Sequence, residues 1–334
     1  MSEAASLDGA SLQRFLDHVE PDSGATVTQY RPISGGYSRL SAFATVQWAS
    51  GTEESFVLRS DPPPDTGVFE SDRDDESRVL RALHGKLPVH SPKLRWYDES
   101  GEFFGQKTLI VDHFVGRPLP DVVAKEGIPA ASEIFVDTVA KIHRSPLDVV
   151  PAEMERPADW ESYVDGLVDL LGNLDDAVAD KNPAVHYTAA QLREHRPPPM
   201  PLTIVHGDCQ PANILVPSSG EVLVIDWEFC RVGDPREDLG YYSHLPVPPN
   251  LYEADPEGFL AAYREKTGFT EEQVNPQTVS YFYVLGMARL LGQMFAAADA
   301  LAQGRPRGVM ATYMINGTAA TTRAFVDIAR QLAA

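Results

Sequence analysis

The sequence predicts an α+β chain in two parts, strand-rich up to about residue 112 and mainly helical beyond it. Three observations carry that expectation. Short apolar runs of strand character crowd the first part, at 41–48, 56–59 and 108–111. Apolar residues at helical spacing fill the second, over about 132–143, 159–174, 256–266 and 279–302, with a last helix after Gly308. The length of 334 residues, at roughly 150 per domain, suggests two domains, and 43% hydrophobic residues suffice for sizeable cores.

In chain order, Ile33-Ser34-Gly35-Gly36-Tyr37-Ser38-Arg39 sits between two strand-like stretches. Its paired glycines suit a hairpin turn and equally, through positive φ and close backbone approach, a contact with a phosphate. The strand Phe56-Val57-Leu58-Arg59 follows, then Pro62-Pro63-Pro64. Glu76 opens an amphipathic helix with Val79, Leu80 and Leu83 on one face, the one helix expected in the first part. Asp72, Asp74 and Asp75 crowd its start, where negative charge is favoured. The strand at 108–111 continues into Asp112-His113-Phe114-Val115-Gly116, the natural cut between the parts. Beyond it, a helical insertion spans about 150–200. The most apolar helical stretch, 281–302, is interrupted by Arg289, Gln293 and Asp299, which argues for a core helix and against a membrane span. Arg196-Pro197-Pro198-Pro199-Met200-Pro201 reads as an extended approach to the next strand, or as the edge of a lid. Apolar runs at 202–205, 214–216 and 222–225 read as short buried strands, the last two joined by Pro217-Ser218-Ser219-Gly220 as a hairpin.

Between those strands lies Val205-His206-Gly207-Asp208-Cys209-Gln210-Pro211-Ala212-Asn213, followed by Ile225-Asp226-Trp227-Glu228. Phosphoryl transfer asks a protein for a carboxylate aimed at the acceptor hydroxyl and for oxygen ligands that fix Mg²⁺ across nucleotide phosphates. Asp208, Asn213 and Asp226 are of those types, and a loop beside a hairpin would let them converge. The motif resembles the aminoglycoside phosphotransferase and choline kinase-like family, whose fold is similar to that of the protein kinases.

The resemblance implies a bilobal protein kinase-like fold, with a small β-rich N-terminal lobe over 1–112 and a larger, mainly helical C-terminal lobe over 113–334. It implies Asp208 as the catalytic residue and Asn213 and Asp226 as metal ligands. Ser34, Gly35 and Gly36 would cover the nucleotide phosphates, and Asp112 and Phe114 lie in the connector whose backbone meets the base. Arg59 stands where the family usually carries a lysine; an arginine keeps the charge but presents a fork in place of a point charge. Glu76 would hold Arg59, with Asp75 as its rival. His206 would brace the loop without acting as a base, and Asp238, after Gly233-Asp234-Pro235, would accept hydrogen bonds from loop amides. His143 reads as a hydrogen-bonded interior residue. For the acceptor, the resemblance points to Trp160, Tyr163, Trp227, Glu228, Tyr241 and Tyr242, with Tyr281, Phe282 and Tyr283 behind them. Those aromatics fit an apolar cleft and fit a core equally well. The implied donor is ATP, with GTP left open, and the implied cofactor is Mg²⁺.

Composition narrows the partners. With 48 acidic against 28 basic residues the formal net charge is −20, which excludes nucleic acid as the expected partner. The same charge suits a cationic substrate and suits simple solubility. No dense ring of carboxylates for a polycationic sugar is evident in the sequence. Cys209 and Cys230 lack metal-ligand spacing; Cys209, beside Asp208, reads as a small loop residue and as a site open to covalent inactivation. The start of the chain lacks a secretory pattern, so a cytoplasmic protein with no membrane partner is expected. The expected function is therefore phosphorylation of a small hydroxylated molecule. A catalytically weak nucleotide-binding regulatory module is the alternative, resting on Arg59. A protein acceptor is disfavoured because the segment from Asp226 to Asp234 is compact.

Overall fold

Helix α1 (Gly9–Val19) forms where the Asp8 side chain accepts from the Ser11 N–H and caps the first turn. It buries Leu12, Phe15 and Leu16 on one face, so the first part holds a second helix beyond the one expected. The structure, a computed structural model, describes residues 6–33, 40–61, 72–176, 183–243, 250–304, 326 and 330. The predicted last helix after Gly308 lies outside the described residues except at 326 and 330.

Strands β1 (Thr26–Ile33), β2 (Leu40–Gln47), β3 (Glu53–Ser60), β4 (Leu94–Asp98) and β5 (Thr108–Asp112) form an antiparallel sheet in the order β1-β2-β3-β5-β4. Alternate residues Ala42, Ala44 and Val46 of β2 and Phe56 and Leu58 of β3 are buried against α1, as the period of two along a strand requires. Each large side chain so buried contributes roughly 1.5–3 kcal/mol. Helix α2 (Arg73–Leu83) begins three residues before Glu76, because Asp72 rather than Glu76 is its cap, accepting from the Asp74 N–H. Glu76 thus lies inside the first turn with its side chain buried, while Val79, Leu80 and Leu83 pack on Leu109 and Val111.

Beyond Asp112, residues 113–116 lead to β6 (Arg117–Pro118), then α3 (Leu119–Glu126) and α4 (Ile128–His143). Helices α5 (Trp160–Asp176) and α6 (Pro183–Glu194) follow, and together with α10 (Pro276–Ala302) they enclose a separate apolar cluster. Between them in sequence come β7 (Thr203–Val205), β8 (Ile214–Val216), β9 (Leu223–Val224), β10 (Arg231–Gly233), α7 (Arg236–Ser243), α8 (Leu251–Ala254) and α9 (Pro256–Thr267). Strands β8 and β9 form the expected hairpin, β6 pairs with β8, and β10 returns antiparallel to β7. The parts are stitched together at His90, whose N–H donates to Val222 and whose carbonyl accepts from the Val224 N–H, both at 2.9 Å. Among the described residues no helix is long and apolar enough to cross a membrane.

Candidate active site

The loop after β7 takes its shape from a glycine and a buried carboxylate. Gly207 has φ +85°, and a Cβ there would lie 2.5 Å from the Phe229 carbonyl oxygen, so only glycine fits. Asp238, in the first turn of α7, accepts from the backbone N–H groups of His206 and Gly207, each at 2.8 Å. His143 Nε2 lies 3.0 Å from the same carboxylate, and its Nδ1 lies 2.7 Å from the Tyr263 hydroxyl. Burial works against a charged Asp238, but the hydrogen bond and charge of His143 hold the carboxyl below its ordinary range. His143 therefore belongs to the loop's support.

His206 is fully committed. Its Nδ1 accepts from the Asp208 N–H at 3.2 Å, which leaves Nε2 as the donor to the Ile225 carbonyl at 2.9 Å. Its ring lies 4.6 Å from that of Trp227. Neither nitrogen is available to take a proton from a substrate.

Asp208 is brought against three neutral donors. Gln210 Nε2 reaches both carboxylate oxygens at 3.1 Å, Asn213 Nδ2 reaches Oδ2 at 2.8 Å, and the Tyr241 hydroxyl bonds to the same group. Burial nevertheless pushes the Asp208 carboxyl above the usual range, and the neighbouring charge of Asp226 adds to the rise. Burial and the Asp208 charge also push the Tyr241 phenol up, so it remains a donor. Asn213 spends its amide nitrogen on the Asp208 side chain and carbonyl, leaving Oδ1 as a free acceptor.

Asp226 follows β9 at φ 69°, ψ 55°, the one non-glycine residue with positive φ among those described. Its Oδ1 pairs with Arg59 Nη2 at 2.5 Å. Burial would raise this carboxyl, but Arg59 outweighs burial and holds it low. Arg59 Nε lies 3.6 Å from Glu76 Oε1, while the rival Asp75 turns outward to pair with Arg78. Arg59 Nε is buried and, beyond the Glu76 carboxylate at that distance, has no hydrogen-bond partner among the described residues. Among those residues no cluster of three or more His, Cys, Asp or Glu could hold a metal ion. Asp226 and Asn213 instead offer two hard oxygen ligands, a set that fits Mg²⁺ completed by phosphate oxygens and water.

Ser34, Gly35 and Gly36 lie outside the described residues. Asp112 ends β5 with its carboxylate 3.3 Å from Arg95, and Phe114 sits beyond it with its ring 6.3 Å from that of His90. The expected acceptor aromatics are mostly core. Trp160 donates to Asp234 at 2.6 Å, Tyr163 donates to Glu237, Tyr242 accepts from the Leu251 N–H and Trp227 is wholly buried. Tyr241 is the member of that group that touches Asp208, and Glu228 is held by Arg73 at 2.7 Å.

A cavity of about 540 Å³ is lined by Asp72, Asp75, Glu76, Glu153, Glu155 and Glu228 together with Arg78, Arg231, Trp227 and Phe229, and Asp75, Glu76 and Glu228 are each paired with an arginine. One expectation needs correction. Cys209 is buried rather than open to attack, and burial pushes its thiol well up; Cys230 is half-buried and pushed up to about 12. Near neutral pH burial therefore keeps Cys230 in the unreactive thiol form. Iodoacetamide is expected to spare both thiols in the folded protein and to label both in urea; rapid native labelling by mass spectrometry would contradict the burial. The sequence reading also missed Arg73, which opens α2 and is wholly buried. Its side chain among three acids has no signature in the local pattern. Gln210, by contrast, sat inside the quoted motif.

A model of the phosphotransferase enzyme family matches residues 29–276. The chain belongs to that family. Solved structures with the same fold include a provisional aminoglycoside phosphotransferase of Ralstonia eutropha, 17% identical with a TM-score of 0.66, covering 96% of this chain and 98% of that one. A macrolide 2′-phosphotransferase type I is 18% identical with a TM-score of 0.61 over 95% and 96% of the two chains. The choline kinase of Streptococcus pneumoniae is 13% identical with a TM-score of 0.58 over 96% and 98%. At those identities the likeness is one of fold, and it establishes the bilobal protein kinase-like architecture. In sequence, the chain is 26% identical over 251 residues to acyl-CoA dehydrogenase family member 11 of Homo sapiens, 71% of this chain but 31% of that protein. The chain thus spans about a third of the length of the curated relatives it matches.

Proposed function

We propose that the protein transfers the γ-phosphoryl group of ATP to a hydroxyl of a small molecule, with Mg²⁺ as cofactor. The observation that carries this reading is the half-buried Asp208 carboxylate, held by Gln210, Asn213 and Tyr241 beside Asp226. In that place Asp208 orients the acceptor hydroxyl and takes its proton. Asp226 and Asn213 would hold Mg²⁺, which when bound neutralises charge on the phosphate oxygens. Arg59, braced by Glu76, offers its guanidinium to the phosphates, and Asp238 keeps the loop amides in register.

Several observations favour a small acceptor. A turn at 227–229, β10 and α7 follow Asp226 without an intervening long segment, which leaves no room for the switch loop of a protein-directed kinase. Structural neighbours include a thermostable mutant of an aminoglycoside phosphotransferase in ternary complex with ADP and hygromycin B, and an aminoglycoside 2′-phosphotransferase complexed with GDP. ATP is thus the donor proposed, with GTP as the comparison to run. The regulatory-module reading keeps one supporting observation, the Arg59–Asp226 pair that already neutralises a metal ligand.

The test is ADP release with ATP and Mg²⁺ across pooled aminoglycosides, macrolides, choline-like amines, sugars and hydroxylated lipids, repeated with EDTA. Release stimulated by one pool and abolished by EDTA is expected. Nucleotide binding with no stimulation by any pool would move the balance to the regulatory module.

A further inference from the structure

Arg73 opens α2 with its side chain 0% exposed, and its guanidinium is surrounded by carboxylates from three segments. Asp61, just past the strand that carries Arg59, lies 3.1 Å from Nε. Glu76 Oε2 takes Nη1, and Glu228 Oε2, two residues past Asp226, takes Nη2 at 2.7 Å. The other oxygen of Glu76 faces Arg59, and Arg59 in turn holds Asp226. Two guanidinium groups therefore thread four carboxylates into one chain, Asp61 and Glu228 on Arg73, Glu76 between the arginines, and Asp226 on Arg59.

The geometry points to Arg73 as the positioning residue that sets Arg59 against Asp226, by fastening β3, α2 and the segment after β9 to one buried cation. The inference rests on the phosphotransferase reading for what Arg59 and Asp226 do, and on coordinates alone for how they are placed. Without Arg73 the Glu76 and Glu228 carboxylates would lose the cation they share, and at least one of them must move. A moved Glu76 no longer braces Arg59, and a moved Glu228 pulls on the backbone next to Asp226. A planar fork can meet three acids at once, whereas a lysine ammonium is a point charge, so Arg73→Lys would keep the charge and lose the geometry.

The experiment compares wild type, Arg73→Met, Arg59→Met and the double variant by calorimetric titration with Mg²⁺–ADP, after circular dichroism has shown each to be folded. Arg73→Met is expected to lose about 10- to 100-fold in affinity, the range seen when partners behind a ligand-binding group are removed. The double variant should lose less than the product of the two single losses, because part of what Arg73 does passes through Arg59. Wild-type affinity in folded Arg73→Met would overturn the proposal, and so would losses that multiply in the double variant, the mark of a purely structural ion cluster. If Arg73→Met does not fold, Glu228→Gln and Asp61→Asn each remove one arm; wild-type affinity in both overturns it. Hydrogen exchange of the free proteins gives a readout that needs no nucleotide: protection at 73–83 and 224–229 should fall together in Arg73→Met or its substitutes. Should wild type fail to bind Mg²⁺–ADP, the functional reading fails by itself, while unchanged exchange in those two segments would still sink the role of Arg73.

Discussion

Asp208→Asn is expected to lower phosphoryl transfer by about 10²–10⁴-fold while leaving nucleotide affinity near that of wild type. The substitution keeps the shape of the side chain and one acceptor oxygen for Gln210, Asn213 or Tyr241, so the loop should persist. What disappears is the group that takes the acceptor's proton. His206 cannot stand in, because one ring nitrogen is fixed on the Asp208 N–H and the other on the Ile225 carbonyl. Single-turnover transfer and equilibrium binding of Mg²⁺–ADP, measured on the same preparations, separate the two effects. Full transfer in the variant would remove Asp208 from the mechanism, and a parallel collapse of binding would make its role structural.

Asp238→Ala is expected to damage folding and turnover together. Its carboxylate serves the amides of His206 and Gly207 and the His143 ring. Deleting it strands all three in the interior. Unsatisfied buried donors cost about 1–3 kcal/mol each, and loss of a buried charged partner about 3–5 kcal/mol. A net destabilisation of about 3–5 kcal/mol would lower Tm by roughly 10 °C in a chain of this size. Thermal melts and turnover on the fraction still folded are the measurements. Unchanged stability with lost turnover would mean that Asp238 acts directly on the reaction, which its burial on the far side of the loop backbone opposes.

The arrangement of strands and helices was largely legible because hydrophobic periodicity dominates it. The pairs β2–β3 and β8–β9 and the helices α4, α5, α9 and α10 all follow apolar patterns of period two or 3.6. Helix α1 was overlooked although Leu12, Phe15 and Leu16 carry that pattern behind the Asp8 cap. The convergence of Asp208, Asn213 and Asp226 was readable because loop and hairpin keep them close in sequence. Arg73 was not readable, since a buried cation among acids 12, 3 and 155 positions away leaves no local periodicity. The aromatic residues misled for a related reason: composition cannot separate the lining of a cleft from the filling of a core, and Trp160, Tyr163, Trp227 and Tyr242 are filling.

The left-handed backbone at Asp226 narrows what evolution can place there. That conformation costs most side chains roughly 1–3 kcal/mol and is tolerated by glycine, asparagine and aspartate. The role proposed for the same position asks for a carboxylate that can hold a cation, which admits aspartate and glutamate. The two lists share a single member. Drift at this codon is therefore blocked from two unrelated directions, and glutamate, the nearest neighbour by charge, is no stepping stone.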